Sequence, residues 1–127
     1  MTRTVVYDAG ALLAAERRDP DFLALHDELT SARIRPLVPV AALAQAWRGG
    51  PQHQISRVLK GCDIRPDDEH VGRAAGVACG LAGTADVVDA IVVATAVRYQ
   101  APVVTSDPED LKHLADSLGV KLRLFTV

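Results

Sequence analysis

Four aspartates stand where an apolar strand or helix begins or ends, and together they could bind a metal ion. Asp8 closes a strand-like run, Asp86 and Asp89 open the most apolar helical segment, and Asp107 follows a second strand-like run. The carboxyl ends of parallel strands meet at one edge of an α/β sheet, beside the helices that follow them. Carboxylates gathered there repel one another, and a hard divalent cation such as Mg²⁺ relieves that repulsion. The pattern therefore predicts a metal site at this edge.

Each aspartate also has a structural explanation as a helix N-cap. Asp107 precedes Pro108, which suits the first turn of a helix, and Asp8 and Asp86 stand just before helical segments. Asp89 fits this explanation least well, because it lies inside an otherwise apolar helix, where an unpaired charge is costly. Asp86 and Asp89 are three residues apart and so project from one helix face. Capping alone does not account for the whole set.

Strand-like and helix-like segments alternate along the chain, which predicts an α/β fold with a central, mostly parallel sheet flanked by helices. Strands are predicted at 4–7, 34–38, 103–104 and 122–126, and residues 62–64 are either a short strand or an extended link. Helices are predicted at 9–17, 20–29, 39–47, 55–59, 67–81, 86–99 and 107–118. Pro36 favours an edge position for the second strand. Gly72, Gly76 and Gly80 form a stripe that either permits close approach of another helix or simply weakens its own helix.

Length and composition bound the class of protein. The chain has 127 residues, 49% of them hydrophobic, which suits a single domain spanning residues 1–127. No apolar run approaches the roughly 18 residues of a membrane helix, and the amino terminus lacks a signal-peptide pattern, so we expect a cytoplasmic protein without a membrane anchor. The net charge of −2 does not by itself indicate nucleic-acid binding. Cys62 and Cys79 lack the spacing of a zinc site.

Four short motifs follow one another along the chain. Residues 5–13 form the first, a strand ending in Asp before a small-residue turn. The others are residues 38–48, 89–96 and 103–107. In this order they resemble the four motifs of PIN domains, and more narrowly those of the VapC toxins of bacterial VapBC toxin–antitoxin pairs. The resemblance covers almost the whole chain, and it implies a PIN-like three-layer fold.

The resemblance also implies an activity, that of a metal-dependent endoribonuclease that cleaves RNA phosphodiesters as a toxin. Asp8, Asp89 and Asp107 would be its catalytic residues and would hold Mg²⁺ or Mn²⁺, with Asp86 as a further candidate ligand. The metal would activate a water molecule and neutralise charge on the phosphate.

Secondary candidates surround these aspartates. The second motif of the family usually carries a Glu where this chain has Gln45, and an amide oxygen can bind a metal but adds no charge and is no base. Asp86 and Asp110 are candidates to supply the missing charge, and Thr105 or Ser106 could orient a ligand or the scissile phosphate. Alternatively, Gln45 is an ordinary polar residue on a helix surface.

Two other interpretations of the chain belong to different functional classes. A catalytically weak or inactive PIN-like binding module is one, and Gln45 is the residue that favours it. A phosphoacceptor receiver domain is the other, but it needs a Lys just after a late strand. Here Pro108 follows the last strand-end acid, and Lys112 lies a full turn into a helix.

The resemblance finally implies two protein partners: a VapB-type antitoxin that occludes the site, and a second copy of the chain in a homodimer. Leu12, Leu13 and Phe22 could form an exposed apolar binding face, or they could belong to the core. RNA would be the substrate. The candidate phosphate contacts, which could equally be ordinary solvent-facing residues, are Arg17, Arg18 and Arg48.

Overall fold

A computed structural model describes residues 3–127, and the strands in that range form one parallel sheet of five strands. The strands are β1 (Val6–Tyr7), β2 (Leu37–Pro39), β3 (Asp63–Arg65), β4 (Val103–Thr105) and β5 (Leu124–Thr126). Their order across the sheet is β3-β2-β1-β4-β5. The chain builds outward from β1 in one direction and then from β4 in the other. Ligand sites of such sheets lie beyond the carboxyl ends of the strands where the order reverses.

Seven helices within the described residues connect the strands. They are α1 (Ala9–Glu16), α2 (Pro20–Ser31), α3 (Val40–Ala46), α4 (His53–Leu59), α5 (Glu69–Ala82), α6 (Val87–Tyr99) and α7 (Pro108–Ser117). The predicted α/β fold is confirmed, and the sheet is wholly rather than mostly parallel. The ends of the elements differ from the predicted ends by a few residues, since hydropathy patterns locate boundaries poorly.

Alternate side chains of β1 enter two different hydrophobic cores. Val5 and Tyr7 pack with α1, α2 and α4 on one face of the sheet, whereas Val6 packs with α5, α6 and α7 on the other. Successive strand residues point to opposite faces, so the same alternation recurs in the neighbouring strands. Both faces of the sheet are therefore covered by helices, which is the predicted three-layer arrangement.

The edge position predicted for the second strand is wrong. β2 lies between β1 and β3, in the interior of the sheet. Pro36 stands just before β2, where its carbonyl accepts a hydrogen bond from the Asp63 N–H at 2.8 Å. The next residue, Leu37, supplies the N–H that bonds to Val5 at 2.8 Å. The proline therefore sits where the sheet needs an acceptor and not a donor.

The glycine stripe of α5 faces solvent and does not bring another helix of this chain close. Gly72, Gly76 and Gly80 are exposed, and a Cβ added to any of them would meet nothing within 4 Å. α5 packs instead through buried residues of its other face, including Val71 and Ala75. Of the two interpretations of the stripe, close helix approach is wrong within this fold.

None of the helices between residues 3 and 127 is by itself long and apolar enough to span a membrane. Helices α5 and α6 meet the length and composition of a span only when taken together, and they are bent by 117° to each other. The turn between them leads directly to Asp86, at the amino end of α6.

Candidate metal centre

A cleft of about 290 Å³ opens at the carboxyl edge of the sheet, where the strand order reverses. It lies among the amino ends of α1, α6 and α7 and the last turn of α3. Every ionisable side chain that lines it in the described part of the chain is an aspartate. Its polar lining consists of Asp8, Gln45, Asp86, Asp89, Ser106, Asp107 and Asp110. The cleft thus concentrates negative charge without a lining lysine or arginine.

Asp8 joins β1 to α1 and is buried at the base of this cleft. Its Oδ1 accepts a hydrogen bond from the Ala11 N–H at 2.8 Å, so the capping interpretation is correct for this aspartate. Burial raises the pKa of Asp8, and the charge of Asp107 raises it further. Hydrogen bonds from the Thr105 hydroxyl and from the N–H groups of Ala11 and Gly10 lower that pKa in part. Asp8 is held rigidly, at an electrostatic cost that a cation would relieve.

Asp86 and Asp107 occupy the N-cap positions of α6 and α7, yet neither side chain makes a capping hydrogen bond. The capping interpretation is therefore wrong for both. Instead, the Asp107 N–H donates to Thr105 Oγ1 at 3.0 Å, and the Asp86 N–H donates to Thr84 Oγ1 at 3.2 Å. These threonines fix the two turns, and the aspartate side chains line the cleft.

The tightest grouping of carboxylates is Asp86, Asp89 and Asp110, whose ligand oxygens lie within 4.8 Å of one another. Asp89 lies in the first turn of α6 and Asp110 in the first turn of α7. Burial raises the pKa of Asp89 to about 7, helped by a hydrogen bond with Asp86 and by the charges of Asp86, Asp8 and Asp110. With a pKa near 7, Asp89 holds a proton in part of the molecules at neutral pH, and a bound cation would displace that proton.

The predicted ligands and this grouping share Asp89 and also Asp86, which the sequence indicated as a further candidate ligand. The other two predicted ligands, Asp8 and Asp107, lie outside the grouping but line the same cleft. The charge of Asp8 raises the pKa of Asp89, and the charge of Asp107 raises the pKa of Asp8. The five aspartates therefore form one continuous group. Asp110, a secondary candidate from the sequence, lies closer to Asp89 and Asp86 than the sequence alone indicates, because α6 packs against α7.

Gln45 and Thr105 differ in their relation to the cleft. Gln45 is exposed in the last turn of α3 and lines the cleft, so it can present its amide to a ligand there. Thr105 is fully buried at the end of β4. Its hydroxyl donates a hydrogen bond to Asp8 and accepts one from the Asp107 N–H. Thr105 is thus a residue that orients acids, whereas Ser106, the next residue, lines the cleft itself.

Gly10 lines the cleft at a position where a side chain has no room, and it was not among the candidate site residues predicted from the sequence. A Cβ there would collide with Ser106 Oγ and lie 3.2 Å from the Ser106 backbone nitrogen and 3.3 Å from Asp8 Oδ1. The only signal in the sequence is the small-residue turn that follows Asp8. Gly10 allows α1 to approach the β4–α7 turn closely.

Replacing Gly10 with Ala should therefore destabilise the protein by about 1 kcal/mol. Overpacking costs about 1–3 kcal/mol, and the better helix propensity of Ala returns at most about 1 kcal/mol. The control is Gly72→Ala in α5, where the new Cβ meets nothing and the protein should become more stable. Urea denaturation measures both. Equal stabilisation by the two substitutions would contradict the close packing at Gly10.

The stability of the metal-free protein should depend on pH through Asp89. Its pKa is raised from 3.8 to about 7, so the folded state holds a proton that the unfolded chain releases. That stabilisation is fully present below about pH 4 and is lost as the pH rises to about 7. In EDTA, the free energy of unfolding should fall over this range, and it should fall less in Asp89→Asn. Identical pH profiles for the two proteins would contradict the assignment.

The apolar residues proposed as a binding face divide between core and cleft. Leu12 and Phe22 are fully buried, so a role for them in an exposed face is wrong. Leu13 is 43% exposed and lines the cleft beside the aspartates. Only Leu13 of the three is accessible to a partner.

The arginines proposed as phosphate contacts are exposed, but none of them lines the cleft. Arg48 instead donates from its guanidinium to the carbonyls of Ala44 and Trp47, at 3.3 and 2.8 Å. Arg17 and Arg18 lie at the end of α1 and just beyond it, away from the aspartates. A direct contact between these three residues and a phosphate in the cleft finds no support in the geometry.

Comparisons with known proteins match this chain by structure and not by sequence. No protein-family model matches the sequence, and no curated protein sequence matches it. A chain of VapBC2 from Rickettsia felis, bound to a promoter DNA fragment, superposes with a TM-score of 0.71 and 15% identity over 98% of both chains. DNA-bound VapBC from Salmonella typhimurium gives 0.70 and 13%, covering 99% of this chain and 98% of that one.

A third solved structure extends the same similarity. A toxin–antitoxin complex from Klebsiella pneumoniae gives a TM-score of 0.67 and 15% identity, covering 84% of this chain and 88% of that one. Sequence identities this low establish similarity of fold. The fold predicted from the four motifs is therefore confirmed: the chain has a PIN-like α/β fold, shared with chains of VapBC toxin–antitoxin complexes.

Proposed function

We propose that this chain is a metal-dependent endoribonuclease that acts as the toxin of a toxin–antitoxin pair. The observation that carries the proposal is the cleft, in which five aspartates meet without a lining cation. The cleft lies where a sheet of this topology places its ligands. The fold is shared with chains from VapBC complexes.

The donor atoms of the cleft suit Mg²⁺ or Mn²⁺. Its polar lining offers carboxylate, amide and hydroxyl oxygens, and in the described residues it includes neither histidine nor cysteine. Hard divalent ions prefer such oxygens, whereas zinc prefers nitrogen and sulfur. Burial raises the pKa values of Asp8 and Asp89, and the charges of the neighbouring aspartates raise them further, so a bound cation would stabilise both carboxylates.

In the proposed mechanism, Asp8, Asp89 and Asp107 hold the metal, with Asp86 and Asp110 as further ligands. A bound Mg²⁺ or Mn²⁺ supplies an activated water and neutralises charge on the phosphate. The chain orients its own ligands through the capped Asp8 and the threonine-fixed turns. Ser106 faces the cleft and can donate a hydrogen bond to a phosphate oxygen, and the Gln45 amide can orient a water but cannot accept its proton.

The alternative, a catalytically weak or inactive binding module, is supported only by Gln45. A Glu at this position would bring a sixth carboxylate to the cleft, and Gln45 brings none. Five aspartates already line the same cleft, and Asp110 lies close to Asp86 and Asp89. The negative charge that a divalent ion requires is therefore available without position 45, which favours the nuclease.

Gln45→Glu should strengthen metal binding and lower the stability of the metal-free protein. The added carboxylate gives the ion another anionic oxygen in a partly desolvated cleft, and it adds repulsion when no ion is bound. Mg²⁺ should accordingly stabilise Gln45→Glu against unfolding more than it stabilises wild type. The control is Gln54→Glu on α4, outside the cleft. Unchanged metal affinity in Gln45→Glu would reassign position 45 to the helix surface.

The proposal includes the partners of a toxin. A VapB-type antitoxin would cover the cleft and the exposed Leu13 beside it, RNA would be the substrate, and the toxin would form a homodimer in the cytoplasm. Production of the chain alone in a bacterial host should then arrest growth, and Asp89→Asn should remove the arrest.

The direct test is RNA cleavage by the purified chain without an antitoxin. Labelled RNA is incubated with protein in EDTA, Mg²⁺ or Mn²⁺, and the cut ends are mapped. Cleavage is expected only with metal. The control variant Asp116→Asn, on the exposed surface of α7, should cleave as wild type does. Metal binding without cleavage of any RNA would favour the inactive module.

A further inference from the structure

A second charged cavity, of opposite sign, lies away from the aspartates at the amino end of the sheet. It encloses about 440 Å³ and is lined by Arg3, Arg33, Arg35 and Arg65, among other residues. We call it the arginine cavity. Asp89 and Tyr99 lie at opposite ends of α6, one at the metal cleft and the other at this cavity. The two sites are about 15 Å apart along the helix axis, at about 1.5 Å per residue.

The topology of the sheet gathers these arginines from distant parts of the sequence. Arg3 precedes β1, and Arg33 and Arg35 precede the neighbouring strand β2. Arg33 adopts a left-handed backbone conformation, with φ of 59°, in the turn that joins α2 to β2. Thr4 Oγ1 donates to the Arg35 carbonyl at 3.3 Å and ties the two amino ends together. Arg65 reaches the cavity from the edge strand β3.

The positive charge of the arginine cavity is largely uncompensated. Four arginines line the cavity beside a single carboxylate residue, Asp63, which already pairs with Arg65 at 2.9 Å. Arg3, Arg33 and Arg35 form no ion pair within residues 3–127. Like charges around one cavity repel one another, so an anion of matching size would stabilise the cavity. The excess is notable in a chain whose net charge is −2.

Two contacts hold part of the cavity in a defined shape. The Arg35 guanidinium donates to the Cys62 carbonyl at 2.8 Å, which leaves its other N–H groups available. The Arg65 guanidinium lies 5.9 Å from the centre of the Tyr99 ring. All four cations are arginines, whose planar forks bind phosphate oxygens in pairs.

We propose that the arginine cavity binds the phosphodiester backbone of RNA at a distance from the metal cleft. The inference rests on the proposed function, in which RNA is the substrate. Without a metal ion the five aspartates of the cleft repel RNA, so a remote basic site would hold the substrate. Cleavage at the cleft and anchoring at the cavity would then be separate contributions of the same chain.

The test measures RNA binding without cleavage. The full chain in EDTA is titrated into a fluorescent single-stranded RNA, and anisotropy is followed at several salt concentrations. Arg3→Gln combined with Arg33→Gln should weaken binding about tenfold at low salt. The slope of log affinity against log salt should become shallower by about 1.4, at about 0.7 for each lost phosphate contact. The matched control is Arg17→Gln combined with Arg48→Gln, which removes the same charge elsewhere.

The outcomes separate this proposal from the nuclease. Equal losses of affinity in the two double variants would overturn the arginine cavity as an RNA site, as would unchanged binding in the first. Displacement of the RNA by poly-glutamate as readily as by unlabelled RNA would also overturn it in favour of an acidic peptide. A wild type that binds RNA through the cavity yet never cleaves it with Mn²⁺ would refute the nuclease and retain the cavity.

Discussion

Replacing Asp89 with Asn should lower metal-dependent RNA cleavage by about 100-fold or more while leaving the fold intact. Asp89 links the Asp8 and Asp107 side of the cleft to Asp86 and Asp110. Its loss should therefore weaken binding of the ion at any position in the cleft. A bound metal ion contributes several kcal/mol of transition-state stabilisation to such reactions, and each 1.4 kcal/mol is tenfold in rate. Without metal, the variant should be more stable than wild type at neutral pH, because the buried carboxylate is replaced by an uncharged amide.

The same substitution at Asp8 and at Asp107 should also abolish cleavage, with different effects on stability. Asn at position 8 keeps the Oδ1 that caps α1, so the metal-free stability should be unchanged or higher. Asp107 makes no capping bond, so its replacement should cost nothing. Cleavage assays and urea denaturation in EDTA give the two readouts. A clear loss of metal-free stability in all three variants, with cleavage retained, would show that these aspartates are structural.

Divalent metal should raise the melting temperature of wild type by about 10 °C at about 100 times its dissociation constant. An ion that binds only the folded chain adds about 2.7 kcal/mol at that excess. For a domain of this size each kcal/mol is worth about 4 °C. Mn²⁺ should act at lower concentration than Mg²⁺, because it binds oxygen and nitrogen ligands more tightly and tolerates imperfect geometry.

The control for this shift is Asp89→Asn, which should lose most of it, beside Asp116→Asn, which should keep it. Thermal unfolding is followed by circular dichroism in EDTA, Mg²⁺ and Mn²⁺. Coincident melting curves for wild type under the three conditions would count against any metal site in the cleft.

The sequence predicted the fold and the gathering of the aspartates for the same physical reason. Alternating elements specify a parallel sheet, and Asp8 and Asp107 each follow a strand, so β1 and β4 as neighbours bring them to one edge. The distances between the aspartates in the cleft could not be predicted from the sequence. The closeness of Asp110 to Asp89 depends on how α6 packs against α7, which no local pattern encodes.

The errors of the sequence analysis also have a common cause. Pro36 suggested an edge strand because a proline lacks an N–H, but its position just before β2 calls for none. The glycines of α5 suggested close packing, but the helix turns them to solvent. Asp86 and Asp107 stand where caps are usual, yet their side chains turn to the cleft. In each case a local rule was correct and tertiary structure decided whether it applied.

The arginine cavity could not have been found in the sequence. Arg3, Arg33, Arg35 and Arg65 are separated by up to about 60 residues and meet only through the order of strands in the sheet. A charge count over the whole chain, which is slightly negative, conceals both the acidic cleft and this basic site.

The central claim is that the aspartate cleft binds a divalent cation, and calorimetric titration of the metal-free chain with Mn²⁺ tests it most directly. Wild type and Asp116→Asn should show the same saturable binding, with protons released as the cation displaces the proton from Asp89. Asp89→Asn should lose most of the affinity and release fewer protons. Absence of saturable binding in wild type, or binding that Asp89→Asn leaves unchanged, would contradict the account.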